Sequence, residues 1–143
     1  MTSSVCIDAS VVIRALVPGP LTNTALELLA QWRRDRAMLI APALLAFEVT
    51  ATLRRMVYLQ ALDPDEGEEA FQQFRQFDIR LSHRAEIFVL AWTLAKRFNR
   101  PRAYDTTYLA LAQLNNCDCW TADERLVNAV CDQLPWVKWI GNG

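Results

Sequence analysis

Short apolar runs alternate with longer amphipathic stretches along this chain, and no other feature restricts its fold as much. Val5 to Asp8, Met38-Leu39-Ile40, Asp78 to Leu81, Cys117 to Thr121 and Trp136 to Ile140 read as short buried strands. Helices are predicted between them, over 11–17, 23–34, 42–59, 63–76, 84–98, 106–115 and 124–131. Ser10 is the expected N-cap of the first helix, and Pro18-Gly19-Pro20 stops it. Ala25, Leu28, Leu29 and Trp32 share one face of the second, and Pro42 suits the first turn of the third. The fourth begins Asp-Pro-Asp-Glu, with acids at its positive end. Short buried strands separated by helices predict an α/β fold with a parallel sheet covered on both faces. Such a sheet collects its site beyond the carboxyl ends of its strands.

The chain has 143 residues with only 4 Gly, and neither a repeat nor a low-complexity segment. A single domain over 1–143 is expected, large enough to bury a core without disulfides or a structural metal. The segment Met1 to Asp8 has neither the basic nor the long apolar part of a signal peptide. No apolar run has the length of a membrane span. Four cysteines, at 6, 117, 119 and 131, form no CxxC pair; buried free thiols in a cytoplasmic protein are expected. Net charge is −1, so total charge carries no nucleic-acid signature. Thirteen of the fifteen basic residues are Arg, a side chain suited to phosphate, although genome composition accounts for the excess equally well.

Against this frame, four acids stand where burial threatens. Asp8 ends the first strand, Glu48 lies in an apolar run, Asp105 precedes a helix, and Asp123 follows the Cys-Trp-Thr strand. Each has a plain structural alternative. Asp8 suits an Asx turn or a cap, and Glu48 an ion pair with Arg55. Asp105 suits an N-cap, but it shares with Tyr108, Leu109 and Ala112 a stripe that should face the core. Thr121 and Glu124 fit a capping box, which leaves Asp123 as a first-turn charge. Taken together, four carboxylates packed closely repel one another and raise one another's pKa, and a divalent cation removes the conflict. All-oxygen ligands favour Mg²⁺ or Mn²⁺ over zinc.

Elimination narrows the chemistry. His83 is the only histidine, so acid–base work by paired histidines is excluded. There is no G-x-S-x-G elbow, Walker A loop or Gly-rich dinucleotide loop. Carboxylates with a hard cation can hydrolyse a phosphodiester without histidine.

The segments Val5-Cys-Ile-Asp8-Ala-Ser10, Pro42-Ala-Leu-Leu-Ala-Phe-Glu48-Val-Thr, Ala103-Tyr-Asp105-Thr-Thr-Tyr-Leu-Ala-Leu-Ala112 and Trp120-Thr121-Ala-Asp123-Glu-Arg-Leu126 resemble PIN-domain proteins, most of all the VapC-type toxin ribonucleases. The ordered set spans nearly the whole chain. The resemblance implies an α/β/α sandwich and Mg²⁺- or Mn²⁺-dependent endoribonuclease activity. It assigns the acidic quartet to Asp8, Glu48, Asp105 and Asp123, with Ser10 and Thr121 in support through their hydroxyls. It also implies an RNA substrate, a small antitoxin partner and a homodimer. Arg100 and Arg102, just before Asp105, are candidate RNA phosphate contacts or simply part of a solvated loop.

Two rival readings remain. An aspartate-nucleophile phosphatase also places Asp after its first strand, but it commonly carries a second Asp where this chain has Ser10, and only Lys96 and Lys138 could serve as its lysine. A binding module with little catalysis would use exposed apolar surface, to which Trp136 and Trp139 are candidates unless they complete the core.

Overall fold

The five segments expected to be strands all become short strands. In the computed structural model, which describes residues 3–142, they are β1 (Ser4–Ile7), β2 (Met38–Pro42), β3 (Ile79–Ser82), β4 (Cys119–Thr121) and β5 (Val137–Trp139). All pair in parallel, in the order β3-β2-β1-β4-β5. The remaining elements are α1 (Ala9–Leu16), α2 (Thr22–Arg34), α3 (Leu44–Tyr58), α4 (Pro64–Arg75), α5 (Ala85–Arg97), α6 (Tyr104–Leu114) and α7 (Glu124–Val130). Met1, Thr2 and Gly143, the ends of the domain expected from the sequence, lie outside the described residues.

The side-chain period of two assigns the faces of the sheet. Cys6 and its register partner Cys119 point to one face, where the Cys6 thiol donates to the Tyr108 carbonyl of α6 at 3.5 Å. Ile7 and Trp120 point to the other, where Trp120 packs against Trp32 of α2 with ring centroids 5.7 Å apart. Both faces are therefore covered, as a parallel sheet requires. Helix α6 lies between the sheet and α5, and this explains why burial extends beyond the expected stripe to Ala110 and Leu111. The Thr106 hydroxyl, wholly buried, is satisfied by the Ala91 carbonyl of α5 at 2.9 Å. Helices α3 and α4 pack so closely that a Cβ on Gly67 would strike the Val57 side chain, which accounts for a glycine inside a helix.

Several local expectations need correction. The cap of α1 is Asp8, whose Oδ1 accepts from Ser10 N at 3.0 Å; Ser10 lies inside the helix with its hydroxyl engaged elsewhere. The cap of α7 is Asp123, not Thr121. Pro42 closes β2 and does not open α3, because Ala43 N donates to Ser82 O and holds the chain to the sheet one residue longer. Helix α6 starts at Tyr104, so Asp105 is a first-turn residue and no cap. Cys117 precedes β4, and the chain after Trp139 turns into a 3₁₀ helix. Trp136 packs on the core, and the most exposed large apolar side chains are elsewhere, among them Phe47, Phe88, Trp92 and Tyr58.

Candidate active site

Strand order reverses at β1: β2 and β3 extend to one side of it, β4 and β5 to the other. The crevice at the carboxyl ends of β1 and β4 is where an open α/β sheet binds ligands. Asp8 leaves β1 there, and Thr121 ends β4 beside it. Asp8 is 8% exposed and Thr121 fully buried.

Proton accounting fixes the direction of the hydrogen bonds around them. The Thr121 hydroxyl has one proton, and it is donated to Asp8 Oδ2 at 2.8 Å. Thr121 Oγ1 accepts from Asp123 N at 3.0 Å. The 3.3 Å contact between Ser10 Oγ and Thr121 Oγ1 must then run from Ser10 to Thr121. Ser10 Oγ accepts in turn from Ala122 N at 2.9 Å. The result is a directed chain, Ala122 N–H to Ser10 to Thr121 to Asp8, whose members polarise one another toward the carboxylate. Both Asp8 oxygens thereby accept from protein donors.

Burial is the largest influence on Asp8 and opposes its ionisation; the Ser10 and Thr121 hydrogen bonds favour it, and the charges of Asp105 and Glu48 oppose it again. The balance raises its pKa to about 6. Asp105 and Glu48 thus both come near enough to act on Asp8, Asp105 across a chain separation of nearly a hundred residues. Asp123 is joined to the group through Thr121, but its Oδ1 is turned to Arg125 N and Leu126 N at 3.1 and 3.3 Å.

Glu48, half-buried on α3, makes no ion pair with Arg55. Its Oε1 instead accepts from the Tyr108 hydroxyl at 2.5 Å. Burial, the hydrogen bond to Glu48 and the Asp8 charge push the Tyr108 phenol far above its ordinary range, so it stays protonated and donates to Glu48. Asp105 Oδ2 lies 3.4 Å from Arg100 Nη2, while Arg102 is exposed. His83 is exposed after β3, at the sheet edge, and supplies no imidazole to this crevice.

Comparison with known proteins decides the family. The PIN domain family matches residues 5–130. The chain belongs to the PIN domain family. Two relatives, a VapC ribonuclease of Mycobacterium bovis and Ribonuclease VapC9 of Mycobacterium tuberculosis, are each 30% identical over 131 residues, covering 92% of this chain and 94% of theirs.

Within this PIN domain, the donor set is all oxygen and anionic, the chemistry of a hard cation. Among the described residues, however, no three His, Cys, Asp or Glu side chains close on a single point as direct ligands. The two observations agree for a cation that keeps part of its water shell. Magnesium does so, typically taking only one or two carboxylates directly. A cation held here would keep part of its water shell. The four thiols are free: burial pushes Cys117 up to about 11, and Cys119 is raised by its contact with Cys6 and by burial. Tyr108 escaped the sequence reading as a site residue. Its signal was its position, one helical turn after Asp105 on the same face of α6.

Proposed function

We propose that this PIN domain is a divalent-metal-dependent endoribonuclease, the toxin of a toxin–antitoxin pair, acting in the cytoplasm with residues 1–143 as one domain. The observation that carries the reading is an aspartate at the sheet's switch point whose ionisation is opposed first by burial and then by the charges of Asp105 and Glu48. The relatives named as VapC ribonucleases supply the substrate class.

Asp8, Glu48 and Asp105 hold the cation, directly or through its waters, and Asp123 joins from the β4 side. A bound Mg²⁺ or Mn²⁺ supplies positive charge at the phosphate and acidity to water. The Ser10–Thr121 chain keeps Asp8 oriented with its charge intact. Arg100 exchanges Asp105 for a substrate phosphate, and Arg102 offers a second guanidinium fork. Water attacks phosphorus in line and the 3′ oxygen leaves, giving a 5′-phosphate.

A phosphatase that attacks through Asp8 is disfavoured, because Lys96, one of the two lysines it could use, extends over the exposed Trp92 ring, 5.8 Å from its centroid. The protein partners in the reading are an antitoxin and a second copy of this chain. Phe88, Val89 and Trp92, exposed together on α5, favour association of this kind. No helix among the described residues is long and apolar enough to cross a membrane.

Incubation with structured RNA, with and without EDTA, tests the reading. Cleavage that stops on chelation and is absent in Asp105→Asn supports it; cleavage indifferent to EDTA overturns it.

A further inference from the structure

A tyrosine in a core is often only a large apolar body whose hydroxyl finds whatever acceptor is near. Tyr108 is placed differently. Its ring is 1% exposed on α6, and its hydroxyl reaches across to a different helix, meeting Glu48 on α3 at a chain separation of 60 residues. Of the two Glu48 carboxylate oxygens, Oε1 is the one that accepts a hydrogen bond among the described residues. A phenylalanine would fill the same core volume, so packing does not require the oxygen. Glu48, by contrast, has a long flexible side chain that loses rotamer freedom when it is fixed.

We propose that Tyr108 is a positioning residue for Glu48: its hydroxyl fixes one carboxylate oxygen and leaves the other to the cation or its water shell. The proposal rests on the cation reading given above. A ligand already oriented before the ion arrives gives up less freedom on binding, which raises affinity without a new contact to the metal. Partners that orient metal ligands typically contribute 10- to 100-fold in affinity. Because Tyr108 and Asp105 share one face of α6, the same helix carries one candidate ligand and orients another.

The test is Mn²⁺ binding by titration calorimetry without RNA, together with melting temperatures in EDTA and in Mn²⁺. Tyr108→Phe is expected to weaken Mn²⁺ binding about tenfold. The rise in melting temperature that Mn²⁺ produces should shrink accordingly. A purely structural hydroxyl would lower both melting temperatures equally and leave the affinity unchanged, which overturns the proposal. Wild-type protein that binds no Mn²⁺ removes the cation reading itself, a distinguishable failure. Should Tyr108→Phe not fold, proton NMR of the wild type serves instead. The Tyr108 hydroxyl proton should exchange slowly and shift on adding Mg²⁺; an unmoved resonance overturns the proposal.

Discussion

Asp8 and Asp63 perform the same local task in opposite surroundings. Each caps a helix through Oδ1: Asp8 accepts from Ser10 N at 3.0 Å and Asp63 from Glu66 N at 2.8 Å. Asp63 is exposed, and Glu66 completes a capping box by accepting from Asp63 N at 3.1 Å. Its charge sits in water at the positive end of α4, where it stabilises the helix. Asp8 is buried beside two further carboxylates, so its charge works against folding. A cap can therefore serve stability or a site, and the surroundings decide which.

The largest expected separation between the two is in activity. Asp8→Asn should lower metal-dependent RNA cleavage by ~100-fold or more, while Asp63→Ala leaves it unchanged. A cleavage assay at saturating Mn²⁺ measures both. An equal loss in the two variants would erase the distinction.

The second difference is in pH dependence. The folded-state pKa of Asp8 is raised from 3.8 to about 6, so between these values the native protein binds more protons than the unfolded chain. Stability then falls as pH rises, and the Asp8 penalty is complete above the folded pKa. It amounts to about 3 kcal/mol, the free-energy equivalent of the shift. In EDTA, urea denaturation of the wild type should lose most of it, about 2 kcal/mol, from pH 4 to pH 7 relative to Asp8→Asn. A flat difference between the two would contradict the burial argument.

Next comes the support of Asp8. Thr121→Val removes the donor to Asp8 Oδ2 and the acceptor for Asp123 N. A stability loss of about 2 kcal/mol is expected above pH 6, where Asp8 is charged, together with a further rise in the Asp8 pKa. Carboxyl ¹³C NMR reads that rise.

Most of the fold was legible in the sequence. Short apolar runs reported the central strands β1, β2 and β4, because a strand covered on both faces needs no polar alternation; the edge strands β3 and β5 carry Arg80 and Lys138. The caps were not legible in the same way. Local rules offered Asp8 as well as Ser10 for α1 and only Thr121 for α7; the two hydroxyls are drawn to each other across 111 residues, leaving Asp8 and Asp123 to cap. The partner of Glu48 was hidden for the same reason. Arg55 was the local choice, whereas Tyr108 is brought to Glu48 only when α3 and α6 assemble around the sheet. Asp8, Glu48 and Asp105 could be listed from their apolar neighbours, but their mutual distance could not.

The smallest expected effect is at the exposed cap. Asp63→Ala should lower stability by about 1 kcal/mol, with little change in its pH dependence between pH 4 and 7. Parallel denaturation series would show it, and a pH profile like that of Asp8 would undo the contrast.

Calorimetric titration of Mn²⁺ into the wild type and Asp8→Asn, in the absence of RNA, tests the central claim most directly. The account predicts saturable binding to the wild type and affinity at least ~100-fold lower in the variant. Equal affinity in the two proteins, or no heat of binding to either, would contradict it.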